Sequence, residues 1–307
     1  MVVRLVCGGV VGNLLTAGLY FALILVGAYL PWFTKEPGSL ISVPSVLLVP
    51  AMGGLAAAWI WRTLRLSIGY TLLHSLWVLG LGIAGAAIFL REGVVCLVMA
   101  SPIIWVALAG GMLVGRVWFK ADRSRLNLLI LPTVALLAAG ELATRSDERA
   151  IVTDEMLIHA SPAQVWPHVL AFPEITEPPN YWIFRLGLPY PVATTNGGDW
   201  VGAERQCIFS QGVVLKERIA EFVPEQRLTF DIVEQPTDPE AYGHITLHRG
   251  RFDLRDNHDG TTTLIGSSWY ALHVRPLFYF DWWTRDMTRE VHLRVMRHIR
   301  GLSETPG

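Results

Sequence analysis

Charge is what this chain has least of. Asp, Glu, Lys and Arg make up 17% of its 307 residues, and 26 acids against 25 bases leave a formal net charge of -1. The pI is near 6.8. A balance this close to neutral gives no global attraction for a phosphate backbone, so nucleic acid is excluded as an expected partner. Cysteine is scarce as well. Cys7, Cys96 and Cys207 are too few and too scattered for a disulfide framework or a thiolate metal cluster, and neither a metal nor a cofactor is expected.

What the chain has in excess is apolar surface. Hydrophobic residues are 52% of it and the mean hydropathy is +0.39, more than one soluble domain of this length requires, so part of it must meet lipid. The excess is uneven: residues 8–143 are poor in charge and rich in Leu, Val, Ala and Gly, whereas 145–307 is mixed. The expected layout is therefore a transmembrane helical bundle over 1–145 and a second domain over 150–303.

Crossing a hydrocarbon core of about 30 Å takes roughly 20 apolar helical residues. Five stretches qualify: 8–30, 40–61, 66–90, 93–119 and 126–143. The second contains Pro44 and Pro50, each of which removes a backbone hydrogen bond. The first is longer than a secretory signal and is expected to remain as an anchor. Arg4, Arg62, Arg65, Arg116, Lys120, Arg123 and Arg125 lie on alternate connections. The positive-inside rule then puts the N-terminus in the cytoplasm and, after five spans, the second domain outside it. Miscounting one span inverts that side. Asn13, His74 and Glu141 are the polar residues inside the spans. A lone intramembrane His is usually satisfied by a neighbouring helix, and no ladder of acids suggests an ion path. The bundle reads as an anchor or a partner-binding unit.

Beyond the spans the period changes to two. A strand is expected over 150–160, then a helix opened by the Ser161 N-cap and Pro162 and shortened or bent by Pro167. Residues 172–200 are rich in Pro and aromatics, either a short helix plus loop or a lid. Strands follow over 201–211, 213–222, 227–234, 244–254 and 261–274, then a helix over 277–302. This is an α+β domain in which a curved antiparallel sheet buries one face on a long C-terminal helix.

Five segments of this half, "IHASPAQVWPHVLAFPEI", "VGAERQ", "KERIAEFVPEQRLTFDI", "RFDLRDNHDGTTTLIGSSWYAL" and the terminal "HIRGLSE", come in the order found in the START and polyketide-cyclase (SRPBCC) superfamily. The chain resembles that superfamily over 151–302. The resemblance implies a helix-grip fold with a hydrophobic cavity between sheet and C-terminal helix, holding a lipid or other hydrophobic small molecule. Members divide into carriers, cyclases or hydrolases, and regulatory subunits. They share no catalytic motif, so the resemblance carries over no catalytic residue.

Strand alternation sets His248 on the face of Phe252 and Leu254, as a ligand-orienting or general-acid imidazole or as a solvated His at the sheet's end. His244 and His248, about 13 Å apart on a strand, cannot share a zinc ion. Tyr270 shares a face with Leu264, Gly266, Ser268 and Leu272; if that face is inward it offers a phenol to a ligand, and a register slip reverses the assignment. Ser267 and Ser268 lie mid-strand, without the elbow that exposes a serine nucleophile. Glu204, Glu217 and Glu221 read as solvent-facing charges. Tyr181, Trp182 and Trp200, with Phe184 and Tyr190, either form the mouth of a pocket or pack against the protein.

The densest aromatic stretch, "RPLFYFDWWTRDM", divides on a helical wheel. Phe280, Trp283, Met287, Val291, Val295 and His298 form the expected core stripe. Phe280, Trp283 and Met287 are ligand-binding candidates with His248, Phe252 and Tyr270. Phe278 and Trp282, beside Arg285 and Arg289, fall on the opposite side and suit contact with a membrane or with the chain's own bundle. The expected protein is thus a membrane-tethered, START-like binder and transporter of an apolar molecule. A cyclase- or hydrolase-like enzyme and a non-enzymatic interaction protein are the alternatives.

Overall fold

The computed structural model describes residues 2–29, 44–64, 66–90, 93–119, 149–235 and 244–305. The chain divides into two compact units, residues 1–146 with 274–276, and residues 147–273 with 277–307.

The described part of the first unit is helical: α1 (Val2–Tyr29), α2 (Val49–Trp61), α3 (Ile68–Gly85) and α4 (Val94–Trp118). Three of these stretches, Val2–Ala22, Ile68–Phe89 and Val94–Trp118, are long and apolar enough to cross a membrane. They match the first, third and fourth of the five expected spans. The second candidate is an apolar helix of only Ser45–Trp61, about 25 Å at 1.5 Å per residue. Pro44 opens a π-helical turn that runs directly into α2, where Pro50 lies in the first positions. The fifth candidate, 126–143, with Glu141, lies outside the described residues.

Glycines bring α2 close to its neighbours. A Cβ on Gly54 would lie 2.2 Å from Leu108 O, and one on Gly111 would lie 2.0 Å from Ala51 O. Close approach of this kind, together with interhelical hydrogen bonds, holds helices where lipid supplies no hydrophobic drive. Asn13 Nδ2 donates to Val78 O of α3 at 3.1 Å, and Trp105 Nε1 donates to Ser75 Oγ at 2.9 Å. His74 accepts from Trp77 Nε1 at 3.1 Å and its ring lies 5.9 Å from that of Trp61.

The second unit runs β1 (Arg149–Ile158), α5 (Pro162–Leu170), α6 (Trp182–Arg185), β2 (Pro191–Asn196), β3 (Glu204–Phe209), β4 (Val214–Val223), β5 (Arg227–Glu234), β6 (Ile245–Asp256), β7 (Thr262–Leu272) and α7 (Leu277–Glu304). Seven antiparallel strands form one sheet in the order β1-β7-β6-β5-β4-β3-β2. With the long α7 this is the helix-grip architecture. The strand missing from the expectation is β2, six residues opening on a proline, whose identity comes from pairing with β3 and not from its own pattern. The segment before it contains the short helix α6. A capping box between Ser161 and Gln164 starts α5, which ends three residues after Pro167.

Pairing fixes the inner face of the sheet. Val152 aligns with Ser268 and Gly250, Asp154 with Gly266 and Phe252, and Leu228 with Phe252. Ile158, Leu228, Phe252, Leu254 and Leu264 form the core with Val165 and Val169 of α5 and Val295, Met296 and Ile299 of α7. Each such side chain contributes roughly 1.5–3 kcal/mol by leaving water.

The buried residues of α7 are Phe280, Thr284, His292, Arg294, Val295, Met296, Ile299 and Ser303. This corrects the expected stripe: Trp283, Met287, Val291 and His298 are only partly buried, and the helix is turned by about one position. Thr284 and His292, which lie outside the expected stripe, are satisfied inside, Thr284 on Phe280 O at 2.9 Å and His292 on two side chains.

The close crossing of α2 and α4 makes a prediction. Gly54→Val and Gly111→Val each lower the thermal midpoint of the detergent-solubilised chain by the equivalent of about 1–3 kcal/mol. Gly110→Val, whose added Cβ meets nothing within 4 Å, leaves it unchanged.

Candidate functional site

The inner face that α7 covers carries polar groups at both ends. Near β1 and β7, His292 of α7 reaches down to the sheet. Its Nδ1 lies 2.8 Å from Asp154 Oδ2 and its Nε2 2.8 Å from Ser268 Oγ. Arg289 Nε stands 3.6 Å from the other oxygen of Asp154. Further along β7, Tyr270 is fully buried and donates to Asp281 Oδ1 at 2.7 Å, while Arg285 Nε holds Asp281 Oδ2 at 2.6 Å and its Nη1 reaches Ile151 O. Burial, then the Asp281 carboxylate, raises the Tyr270 phenol above its usual range.

Arg205 on β3 and Glu217 on β4 form an ion pair at 2.8 Å, each side chain 3% exposed. The guanidinium also donates to Val169 O of α5 and lies over the Phe230 ring, 4.6 Å from its centroid. This corrects the reading of Glu217 as a solvent-facing charge: it points to the inner face with Leu215 and Ile219, and Arg205 opposite makes that tolerable. Glu204 is exposed and Glu221 partly so, as expected. Burial pushes the Cys207 thiol up to about 12, so it holds no reactive thiolate near neutral pH.

The connection between α5 and β2 is strapped to α7. Arg294 donates from Nε to Pro191 O at 3.0 Å and from Nη2 to Glu177 O at 2.9 Å, with its charge over Tyr190. Tyr181 donates to Asp286 Oδ2 at 2.6 Å, and Trp182 meets the edge of Trp283 at 6.4 Å. Trp182 stays 47% exposed and so does much of Trp200, at 60%, on the separate β2–β3 connection. The indole Nε1–H of Trp283 is buried and has no hydrogen-bond partner among the described residues.

The ligand-binding candidates Phe252, Tyr270, Phe280, Trp283 and Met287 are in different states. Tyr270 has its hydroxyl committed to Asp281, Phe252 and Phe280 are core residues, and Trp283 and Met287 remain part-accessible. His248 needs a correction. A bulge sets Leu247 opposite Tyr270 and Arg249 opposite Trp269, leaving His248 as the extra residue. The alternation that aligned it with Phe252 breaks there. Phe278 and Trp282 are 80% and 62% exposed, but Arg285 and Arg289 have carboxylate partners in Asp281 and Asp154.

Sequence reasoning missed His292, Asp154 and Arg294 altogether and set Ser268 aside. The residues at 154, 268 and 292 are far apart in sequence and share no motif. The one available signal is an unexpected polar group on the inward phase of β1. Among the described residues no three His, Cys, Asp or Glu side chains converge to hold a metal ion.

A curved seven-stranded antiparallel sheet closed by a C-terminal helix defines a helix-grip domain, and sheet order and register carry that assignment. No family model matches the chain, and no curated protein matches its sequence. Solved structures similar to it include truncated norcoclaurine synthase from Thalictrum flavum, 13% identical, covering 53% of this chain and 99% of that one with a TM-score of 0.37. Others are a protein of Nitrosospira multiformis at 16% identity, covering 50% and 94% with a TM-score of 0.34, and XoxI of Bacillus cereus at 19%, covering 50% and 94% with a TM-score of 0.35.

The buried ion pair gives a pH test. Burial pushes the Glu217 carboxyl up to about 6 against the pull of Arg205, from an ordinary value of 4.5. The folded chain thus binds this proton more tightly than the unfolded one, and the stability it confers is full below pH 4.5 and lost as pH rises through 6. The thermal midpoint of wild type relative to Glu217→Gln should fall between pH 4.5 and 7. A constant difference would show that the carboxyl titrates alike in both states.

Proposed function

We propose that the second unit is a START-like domain that binds a lipid or other apolar small molecule between the inner sheet face and the first half of α7. Its apolar helices tether it to a bilayer. The observation that carries this reading is the uneven packing of α7. Val295, Met296 and Ile299 are buried toward its C-terminal end and Phe280 and Thr284 nearer its start, while Trp283, Met287 and, at the middle of the helix, Val291 stay part-accessible. Apolar side chains left partly uncovered between two layers suit an apolar occupant, and the unpartnered Trp283 N–H offers it one donor. The exposed Trp182 and Trp200 suit the rim of its entrance, and Phe278 and Trp282 suit the surface on which the domain rests. A tether keeps such a site within reach of membrane-dissolved ligand and raises its effective concentration without new contacts.

Solvent extraction of the purified full-length chain followed by mass spectrometry should recover an apolar molecule near one per chain. Val291→Trp, which fills the space, should lower the recovered amount about tenfold or more, a loss of roughly 1.4 kcal/mol in binding, with the thermal midpoint retained. A clean extract from wild type would reject the reading.

With all five candidate stretches crossing, the basic connections support a cytoplasmic N-terminus and an extracytoplasmic second unit. In intact cells an impermeant maleimide should label Arg300→Cys, an exposed position on α7. Labelling only after lysis would put the domain on the cytoplasmic side.

A further inference from the structure

Binding an apolar molecule gives no role to the chain of Asp154, His292 and Ser268, one residue each from β1, α7 and β7. A carboxylate can only accept hydrogen bonds, so in the neutral ring His292 Nδ1–H donates to Asp154 and the Nε2 lone pair accepts from the Ser268 hydroxyl. Both links are 2.8 Å. That is the tautomer and direction of a base-activated serine, in which the acid fixes the ring and the ring takes the hydroxyl proton. The alternative role is a polar stitch between helix and sheet. A stitch works best sealed. Ser268 is instead part-buried on the inner face, and Val291, next to His292 on α7, is part-accessible too. The hydroxyl therefore lies on the sheet face that the proposed ligand would cover.

We propose that Ser268 is a nucleophile that accepts the acyl group of an ester of an apolar acid, with His292 as its general base and Asp154 as the residue that positions His292. As the bond from Ser268 Oγ to the carbonyl carbon forms, the hydroxyl proton passes to His292 Nε2. The ester C–O bond breaks and the departing alcohol oxygen takes that proton. Water then attacks the acyl-serine and gives a proton to Nε2. Ser268 Oγ leaves with that proton as the free acid forms, so one ester and one water yield one acid and one alcohol. No oxidant or reductant enters.

The strand context limits the rate. β7 lies between β1 and β6, so its amides are committed to the two ladders and none is free to hold the oxyanion. One such donor is worth about 10²–10³ in turnover. Covalent capture is accordingly the decisive readout, ahead of steady-state hydrolysis.

The test is to treat the full-length detergent-solubilised protein with an alkyl fluorophosphonate and locate the adduct by peptide mass spectrometry. One phosphonyl group should appear on Ser268 of wild type and be absent from Ser268→Ala. The labelling rate should fall about 100-fold or more in His292→Gln, the scale of a general base. Asp154→Asn should slow labelling and flatten its dependence on pH, which a merely structural contact would not do. Ser268→Ala removes a single oxygen and keeps the core volume, so it remains an informative control where the His292 variant does not fold. It should retain the co-purifying apolar molecule. No adduct on Ser268 in protein that still carries that molecule would overturn the nucleophile and leave the binding site standing. Labelling of His292→Gln at the wild-type rate would overturn it equally.

Discussion

A sheet whose inner face carries Asp154, Ser268, Tyr270, Arg205 and Glu217 cannot be covered by an oily helix. Burying any of these groups without a partner costs one to several kcal/mol, and five of them would consume the net stability of an ordinary domain. The structure satisfies them in pairs. His292 serves Asp154 and Ser268, Asp281 serves Tyr270, and Arg205 and Glu217 serve each other. The rotation of α7 follows from this requirement. Turning it to bury Trp283 and Val291 fully would withdraw His292 from Asp154. The polar links therefore set the azimuth of the helix, and Val295, Met296 and Ile299 supply the adhesion once it is set.

How much of this was legible depended on whether the signal was local. Alternation, the Ser161 cap and the turn residues between strands are local, and they gave six of the strands, the first helix and the long last one. β2 escaped because PVATTN has no alternation of its own and becomes a strand only against β3. His248 was misplaced because a one-residue bulge is invisible to a period of two. Glu217 was read outward because charge normally means solvent, and His292 was not singled out at all. Their partners, Arg205 and Asp154, are 12 and 138 residues distant, and no window of sequence contains the second pairing. Local pattern thus placed Phe252 and Phe280 in the buried layer and gave no sign of the polar pairs beside them.

The helical unit shows the same division. Hydropathy located every described helix, because apolar length is a sum over neighbours in sequence. The second candidate is the one where proline intervenes: Pro44 and Pro50 lie at the start of the described apolar helix, which spans only Ser45–Trp61. What joins the helices is not hydropathy. Gly54 and Gly111 admit the backbone of a neighbour, and Asn13 and Trp105 supply hydrogen bonds between helices. Lipid is as apolar as leucine, so only contact distance and polar pairing can discriminate one helix neighbour from another.

Apolar binding and acyl transfer make different demands on one layer. Binding wants an unfilled, weakly polar space, and a serine nucleophile wants a dry surrounding in which the His292–Asp154 pair is strong. An apolar occupant beside Ser268 would provide the second condition by excluding water from the first. Cys207, the other nucleophilic side chain near this face, is held in its protonated form by burial, and Tyr270 is held in its protonated form by burial and Asp281. Of the hydroxyl and thiol groups that the fold gathers there, Ser268 is the one whose hydrogen-bond partner is a base able to take its proton and then return it.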